Sequence, residues 1–292
     1  MNERLKVYEE KMQKTMKSLD SDLSAIRAGR ANPHVLDRLT VDYYGSPTPI
    51  QQVANVSVPE ARMIQIQPWE KKMIKEIENR HSVRSYKDIP LSLDIKNKLN
   101  ERINEINEQN SLHFQLVCDE PKAFKGLMAH YGGFKNVSNY IALIGPKDRE
   151  LDEKCGYFGE KLVLYAQSLG LNSCWVAMTY SKVDSAYYIK PGEKLVMVIA
   201  LGYGTDAGKE HKTKDISVFA KIDNHSPEWF IEGVKACMKA PTAMNQQKFY
   251  LELAGDKVKI SMGKGFYTAV DKGIVKCHFE IGAHKGNDCW LS

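Results

Sequence analysis

The sequence predicts an α+β protein with more than one domain. The chain has 292 residues, which is too long for one small domain and suits two. Segments with apolar residues at three- and four-residue steps alternate with segments in which apolar residues recur at every second position. Hydrophobic residues make up 43% and charged residues 26%, as in ordinary globular proteins. We therefore expect helices and strands that bury substantial cores, in four segments: 1–29, 30–72, 73–222 and 223–292.

Composition excludes several classes of protein. No apolar run approaches the ~18 residues of a membrane span, and the charged N-terminus lacks the apolar core of a signal peptide. The net charge of +5 permits anionic partners but is far below that of a dedicated nucleic-acid binder. The six cysteines form no CxxC pair and no zinc spacing, so reduced, buried thiols in a cytoplasmic protein are expected. His278 and His284 form only a loose pair, and no metal site is predicted.

Residues 1–29 predict an amphipathic helix. Gly29 and Pro33 end it. Its narrow apolar stripe suits a helical bundle and needs partner helices, because an unpaired helix of this length is marginal in water. We expect the helix to dock on the rest of the chain, to self-associate or to fray. The stripe consists of Leu5, Tyr8, Met12, Thr15, Leu19, Leu23 and Ile26.

Residues 30–72 predict a small β-rich subdomain. The segments LTVDYY at 39–44 and MIQIQ at 63–67 alternate like half-buried strands. A helix resumes with KKMIKEIEN at 71–79 and carries its apolar residues on one face. Turns between the strands are predicted at Gly45, Pro47, Pro49 and Pro59.

The segments IRAGRANP at 26–33, VDYYGSPTPI at 41–50 and VPEARMIQIQPWEKKMIKEIE at 58–78 resemble ribosome recycling factor. The resemblance implies a three-helix bundle with a small α/β domain inserted after the first helix. It ends at Glu78, before the second and third helices. Arg27 and Arg30 match the family's pattern and could contact phosphate, but a solvated helix end is the interpretation we favour. We do not expect this chain to recycle ribosomes.

Residues 73–222 alternate predicted helices and strands. A charged amphipathic helix at 93–107 is followed by strands at 112–119 and 139–145. The segment 153–177 predicts a helix rich in small residues that runs into an apolar turn, and 194–204 predicts a buried strand ending in GYG. Within NRHSVRSY at 79–86, Arg80, Ser82 and Arg84 alternate and could surround a phosphate with charge-assisted hydrogen bonds. Alone, this motif is a weak signal, and two exposed arginines are more often part of a solvated turn.

The order of NRHSVR, GYFGEKLVLYAQSLGLNSCW at 156–175 and the strand ending in GYG resembles the nitroreductase family. The resemblance implies an FMN-dependent protein that uses NAD(P)H to reduce nitro groups, quinones or flavins. The family's P-[ST]-x-x-N segment is absent after the arginine motif and occurs instead within APTAMNQQKF at 240–249. Residues 271–283 resemble the family's second core helix. The whole therefore resembles the single-chain, fused-dimer branch of the family. This implies an α/β sandwich in which two unequal halves of one chain form an internal pseudo-dimer. Such a chain would be a monomer and would retain one of the two sites of a dimer.

The resemblance also implies roles for ten residues. Arg80, Ser82 and Arg84 would hold the FMN phosphate, and the residues of the second half would contact the ribityl chain or the ring edge. Trp175, in the predicted turn 173–176, would lie near the isoalloxazine, although a plain core aromatic is an alternative. The lysines that follow GYG either contact the phosphate or form a solvated loop. The remaining predicted residues are Pro241, Thr242, Asn245 and Gln247 in the second half and Lys209 and Lys212 after GYG, with Lys214 beside them.

No side chain is expected to act as nucleophile or general base, because FMN would carry the hydride chemistry. NAD(P)H would donate first and leave, and an acceptor would then take the electrons in a ping-pong sequence. No GxGxxG opens a strand–turn–helix unit, so a separate Rossmann site is not predicted. Two alternatives stay open: a translation protein related to ribosome recycling factor, and a nitroreductase-fold protein without flavin.

Overall fold

The computed structural model describes residues 8–9, 11–18, 31–43, 46–50, 53–60 and 62–291. The chain divides into two compact units, residues 1–71 and 72–292. Helix α1 (Trp69–Asn79) contains this boundary. None of the described helices combines the length and the apolarity that crossing a membrane requires.

In the first unit, residues 11–18 are helical, as the apolar stripe predicts. Tyr8 and Met12 of that stripe are 65% and 67% exposed. Thr15 donates its hydroxyl to the Lys11 carbonyl at 3.0 Å, a local bond within the helix. The described part of the stripe is therefore exposed. The predicted stripe residues Leu5, Leu19, Leu23 and Ile26, together with Arg27, Gly29 and Arg30, lie outside the described residues.

Two antiparallel hairpins follow. Strand β1 (Thr40–Tyr43) pairs with β2 (Ser46–Pro49), and β3 (Ala54–Glu60) pairs with β4 (Met63–Pro68). Ile50 and Ala54 are buried beside them, at 6% and 4% exposure.

The predicted proline turns are wrong at three positions. Pro47 and Pro49 lie inside strand β2, opposite Asp42 and Thr40. A two-stranded sheet leaves one edge of each strand unpaired, so a residue without an N–H is tolerated there. Pro59 lies in β3 where the register shifts between Ser57 and Glu60, which is the irregularity that accommodates a missing donor. Gly45 lies outside the described residues.

The second unit is built on a four-stranded antiparallel sheet in the order β5-β6-β8-β7. The central strands β6 and β8 carry the predicted apolar runs and are buried over most of their length. The strands are β5 (Gln115–Val117), β6 (Asn139–Pro146), β7 (Asn172–Val176) and β8 (Glu193–Gly202). All three strand pairings of this sheet are antiparallel.

The predicted apolar turn at 173–176 is wrong, because these residues belong to strand β7. Trp175 lies opposite Ile199 of β8 in the ladder. The turn occurs earlier, at Gly170, whose positive φ of 82° ends the preceding helix. The short sequence carries no alternating pattern of its own, and pairing with β8 makes it a strand.

Helices cover this sheet. Helix α2 (Leu93–Asn110) begins at Ser92, whose hydroxyl accepts from the Ile95 amide at 3.3 Å, and it ends at Ser111 with φ 54°. Its stripe of Leu99, Ile103 and Ile106 is buried. The others are α3 (Leu127–Tyr131), α4 (Leu151–Ser168), α5 (Glu228–Cys237) and α6 (Thr268–Ala283).

Helices α4 and α6 cross at very close range, which two glycines permit. A Cβ at Gly156 would lie 2.0 Å from the Val270 carbonyl oxygen, and one at Gly273 would lie 2.0 Å from that of Glu153. Backbone therefore packs on backbone here. This contact joins the first predicted half to the second, because α4 belongs to residues 73–222 and α6 to residues 223–292.

The second half also contributes a hairpin of β9 (Phe249–Ala254) and β10 (Lys257–Met262). Strand β10 carries apolar residues at every second position, Val258, Ile260 and Met262, which is the alternation of a half-buried strand. Its Val258 is fully buried and joins the main core with Leu251 of β9.

Candidate functional site

A cleft of about 850 Å³ in the second unit brings together residues that are far apart in the sequence. Its walls come from the arginine segment, strand β7, the loop after GYG, the segment 241–245 and the start of α6. Eight of the ten predicted site residues line it: Arg80, Ser82, Arg84, Trp175, Lys209, Pro241, Thr242 and Asn245. Gln247 and Lys212 are not among its lining residues.

The arginine segment is held by backbone pairing rather than left as a solvated turn. Val83 donates its amide to the Ser173 carbonyl of β7 at 3.0 Å, and Tyr86 donates to that of Lys135 at 3.1 Å. Val83 and Tyr86 are buried, and the Tyr86 ring packs where a Cβ at Gly202 would fall. The even-numbered polar residues are thereby turned toward the cleft while the odd position Val83 anchors the segment.

The two arginines of the segment differ in environment. Arg84 is exposed, with its guanidinium 6.0 Å from the centre of the Phe134 ring. Arg80 is 3% exposed, and burial lowers its pKa while Glu160 opposes that effect. Its Nε lies 3.9 Å from a Glu160 carboxylate oxygen, beyond hydrogen-bond range, and has no partner among the described residues. Arg80 is therefore a buried cation on the wall of the cleft, with its Nε donor unused.

Beneath this wall is a buried polar group that the sequence analysis missed. Trp175 donates its indole N–H to Glu160 at 2.8 Å, and His278 Nε2 lies 2.9 Å from the other carboxylate oxygen. Glu160 and His278 have no exposed surface. The signal in the sequence was a glutamate within the apolar run of α4 and a histidine within that of α6.

The loop after GYG folds over the arginine segment. Gly208 has a φ of 76° and donates its amide to Asp206 at 2.8 Å, and a Cβ there would meet His81 at 2.8 Å. The turn brings Lys209 to the cleft. Lys212 contributes its backbone: its carbonyl accepts from the side-chain amides of Asn245 at 2.8 Å and Gln247 at 2.7 Å.

The segment 241–247 is tightly bonded to itself. The Thr242 hydroxyl oxygen accepts from the Gln247 amide at 3.1 Å, and Gln247 donates its side-chain amide to Asn245 Oδ1 at 2.6 Å. Lys214 donates its ammonium to the Gln246 carbonyl at 3.0 Å. Gln247 thus stabilises the loop without lining the cleft. Both polar atoms of the Asn245 side chain already have hydrogen-bond partners, Gln247 and the Lys212 carbonyl.

The same segment holds left-handed backbone at residues other than glycine. Met244, Asn245 and Gln247 have φ values of 51°, 52° and 48°, and Tyr267 across the cleft has 56°. Such conformations cost energy for residues with a side chain and cluster at functional sites. Met244 is 83% exposed, so packing of its side chain does not explain its conformation.

Asp271, in the first turn of α6, fixes this strained segment. It accepts from the Ala243 amide at 2.9 Å and from the Gln246 side chain at 2.6 Å. Burial raises its pKa to about 6, although both hydrogen bonds act in the opposite direction. Asp271 lines the cleft and was not predicted, since a single aspartate at a helix start is the usual pattern there.

Asp271 gives a testable pH dependence of stability. Its pKa is about 6 in the folded protein, above the usual aspartate value of 3.8, so the native state binds an extra proton between these pH values. The stability it contributes is therefore full below pH ~4 and lost as pH rises through ~6, on the order of 3 kcal/mol. In urea unfolding, the free energy of unfolding of Asp271→Asn should not fall between pH ~4 and pH ~6 as that of the wild type does. An equal pH dependence in both proteins would contradict it, and Asp256→Asn, in the exposed turn between β9 and β10, is the control.

The remaining walls are apolar and flat. Trp175, Val176 and Ala177 form one side, and Phe134, Tyr131 and Met178 approach from another. Phe266 and Tyr131 are 68% and 88% exposed at the rim. A cationic end beside apolar aromatic walls suits an anionic ligand with a flat ring system.

Two groups of known proteins are similar to this chain. A sequence model of ribosome recycling factor matches residues 19–110. The ribosome-recycling factor of Agathobacter rectalis is 65% identical over 78 residues, which is 27% of this chain and 42% of that protein. That of Lachnoclostridium phytofermentans is 69% identical over the same shares. The chain thus spans less than half the length of these relatives, as the predicted end of the resemblance at Glu78 implies.

The second group covers most of the chain. A sequence model of the family described as "Putative TM nitroreductase" matches residues 72–283 and overlaps the first match over residues 72–110. The crystal structure of a "putative nitroreductase" from Thermotoga maritima superposes with a TM-score of 0.51 at 21% identity, covering 72% of this chain and 82% of that one. The predicted α+β fold class is confirmed. By the extent of the family match, the chain belongs to this nitroreductase family, with a segment similar to ribosome recycling factor in front of it.

Proposed function

We propose that this protein is an FMN-dependent oxidoreductase that takes hydride from NAD(P)H and passes electrons to a nitro, quinone or flavin acceptor. One observation carries the proposal. Eight residues predicted for an FMN site line one cleft, five of them from residues 73–222 and three from residues 223–292. We further propose that these two segments are unequal halves of an internal pseudo-dimer.

The residues fit FMN on physical grounds. The cleft volume of about 850 Å³ falls within the range of cofactor sites, roughly 300–1,000 Å³. Arg80 offers a buried cation with an unsatisfied Nε donor, and a phosphate dianion would compensate its charge. The walls around Trp175 and Met178 offer the apolar surface that a flat ring system needs.

Each residue would then have a defined task. Arg80, Ser82, Arg84 and Lys209 bind and orient the phosphate end. The segment 241–245, fixed by Asp271 and Gln247, borders the ring and excludes water from it. FMN supplies two-electron hydride chemistry that no side chain of the cleft offers. Donor and acceptor use the same open cleft in turn, which gives ping-pong kinetics.

Titration of the full chain with FMN and with riboflavin tests the proposal. We expect FMN to bind with a shifted flavin absorbance band and riboflavin to bind at least ~100-fold more weakly, because it lacks the phosphate. Arg84→Ala should weaken FMN binding by ~10-fold and leave riboflavin unchanged. Colourless protein that takes up neither flavin is the flavin-free alternative, and it would sink the proposal.

The identity of 65% over 78 residues supports a test of the second candidate, ribosome binding by residues 1–78. We propose that this segment does not recycle ribosomes, since the chain spans 42% of that relative's length. Co-sedimentation with ribosomes at low and high salt should show no salt-sensitive binding. Self-association through the exposed helix around Met12 would appear in the same samples as a concentration-dependent mass.

A further inference from the structure

The polar group behind Arg80 has a hydrogen-bond arrangement that fixes its protons. His278 Nδ1 lies 3.0 Å from the Ala236 carbonyl oxygen, and Nε2 lies 2.9 Å from Glu160 Oε1. A carbonyl oxygen only accepts, so Nδ1 carries a hydrogen. The second contact then needs its own proton, either on Nε2 or on the carboxyl of Glu160.

A neutral ring facing an ionised carboxylate would place two lone pairs 2.9 Å apart with no water to separate them, since neither side chain has exposed surface. Glu160 is also bonded on its other oxygen by the Trp175 indole. We propose that Glu160 and His278 share one extra proton, so that the pair is electrically neutral and leaves Arg80 as an uncompensated cation that draws an anion into the cleft.

The neighbouring groups do not neutralise Arg80 either. Burial raises the pKa of the Cys174 and Cys277 thiols, which stay protonated. Burial and the charge of Arg80 lower the pKa of His211 on the cleft wall, so that ring adds no charge at neutral pH. Arg80 Nε lies 3.9 Å from Glu160 Oε1, within ion-pair distance but beyond a hydrogen bond, so Arg80 together with a neutral pair keeps a net charge of +1.

The pair therefore lies behind Arg80 without neutralising its charge. Glu160 comes from α4, in residues 73–222, and His278 comes from α6, in residues 223–292. Both segments therefore contribute to the polar group beneath the cleft as well as to the walls of the cleft. The consequence for FMN rests on the proposed function, whereas the shared proton itself does not.

The shared proton is tested on flavin-free full-length protein. Nitrogen NMR of the His278 ring and carbon NMR of the Glu160 carboxyl are recorded at pH 7, with His278→Asn for assignment. We expect either a doubly protonated ring beside a carboxylate, or a neutral ring beside a carboxylic acid. A neutral ring beside an ionised carboxylate overturns the proposal.

The consequence is tested with Glu160→Gln. The amide can donate to a neutral His278 and accept from Trp175, so a neutral group replaces a neutral pair. We expect the ratio of FMN to riboflavin affinity to stay within about twofold of the wild type. If Glu160 were instead an ionised counter-ion of Arg80 beside a neutral His278, its loss would raise that ratio about tenfold or more, and this result would overturn the proposal.

Glu150→Gln is the matched control, because it removes the same charge from an exposed site at the start of the same helix, where Glu150 pairs with Lys154 at 3.0 Å. Its affinity ratio should equal that of the wild type. If the wild type binds neither flavin, the proposed function fails, and the NMR measurement still decides on the shared proton.

Discussion

Arg80→Gln is expected to abolish FMN binding without destabilising the flavin-free protein. The guanidinium is 3% exposed and its Nε has no hydrogen-bond partner among the described residues, so it costs stability rather than adding to it. Its charge and donors become useful only when a phosphate is bound. We expect the FMN dissociation constant to rise at least ~100-fold, equivalent to about 3 kcal/mol, while the unfolding midpoint stays equal or rises.

Flavin titration and urea unfolding of the same preparation measure both quantities. Arg149→Gln is the control, since Arg149 is exposed just before α4 and does not line the cleft. Neither quantity should change there. An Arg80→Gln protein that unfolds more readily and still binds FMN would show that Arg80 is a structural residue.

Gly273→Ala should be the most destabilising small substitution in the second unit. The new Cβ would lie 2.0 Å from the Glu153 carbonyl oxygen and 2.5 Å from the Tyr157 amide nitrogen. Both neighbours are backbone of α4, so neither can turn away. The helix-propensity gain of about 1 kcal/mol is outweighed, and we expect a net loss of about 3–5 kcal/mol.

Separation of α4 from α6 should also displace Asp271 and His278, so flavin affinity should fall together with stability. Gly263→Ala serves as control, because its nearest atom is the Lys248 Cβ at 3.4 Å, an ordinary contact. Urea unfolding curves compare the two. Equal stability of the two variants would mean that the helices separate at little cost.

Local patterns predicted most of the helices and the central strands. The apolar runs of 139–145 and 194–204 are long enough to identify buried strands, and the stripe of Leu99, Ile103 and Ile106 identified α2. The failures occurred where the pattern was short. Strand β7 contains only five residues and is a strand because β8 pairs with it. The prolines of the first unit were predicted to form turns, but they lie in strands, because a strand with an unpaired edge tolerates a residue without an N–H.

The candidate site, too, could be predicted from the sequence only in part. The arginine motif and the Pro-Thr-Asn segment were visible in the sequence, because anion-binding and loop residues have a recognisable chemistry. Gln247 and Lys212 were assigned to the ligand, and in the structure the Gln247 side chain donates to the Lys212 carbonyl, which joins their two loops. Asp271, Glu160 and His278 lie in segments covered by the resemblance but were given no role, since their roles arise from contacts between residues more than 20 positions apart.

The sequence alone determined that two families meet near Glu78 and that an anion-binding motif and a separated loop belong to one resemblance, because residue type and spacing are local properties. Only the tertiary structure decided that this motif and loop border one cleft, and that Arg80 stands there with an unused Nε donor. The reason is physical: burial, charge compensation and the shared contacts of Glu160 depend on which helices pack together, and the glycine crossing of α4 and α6 sets that packing.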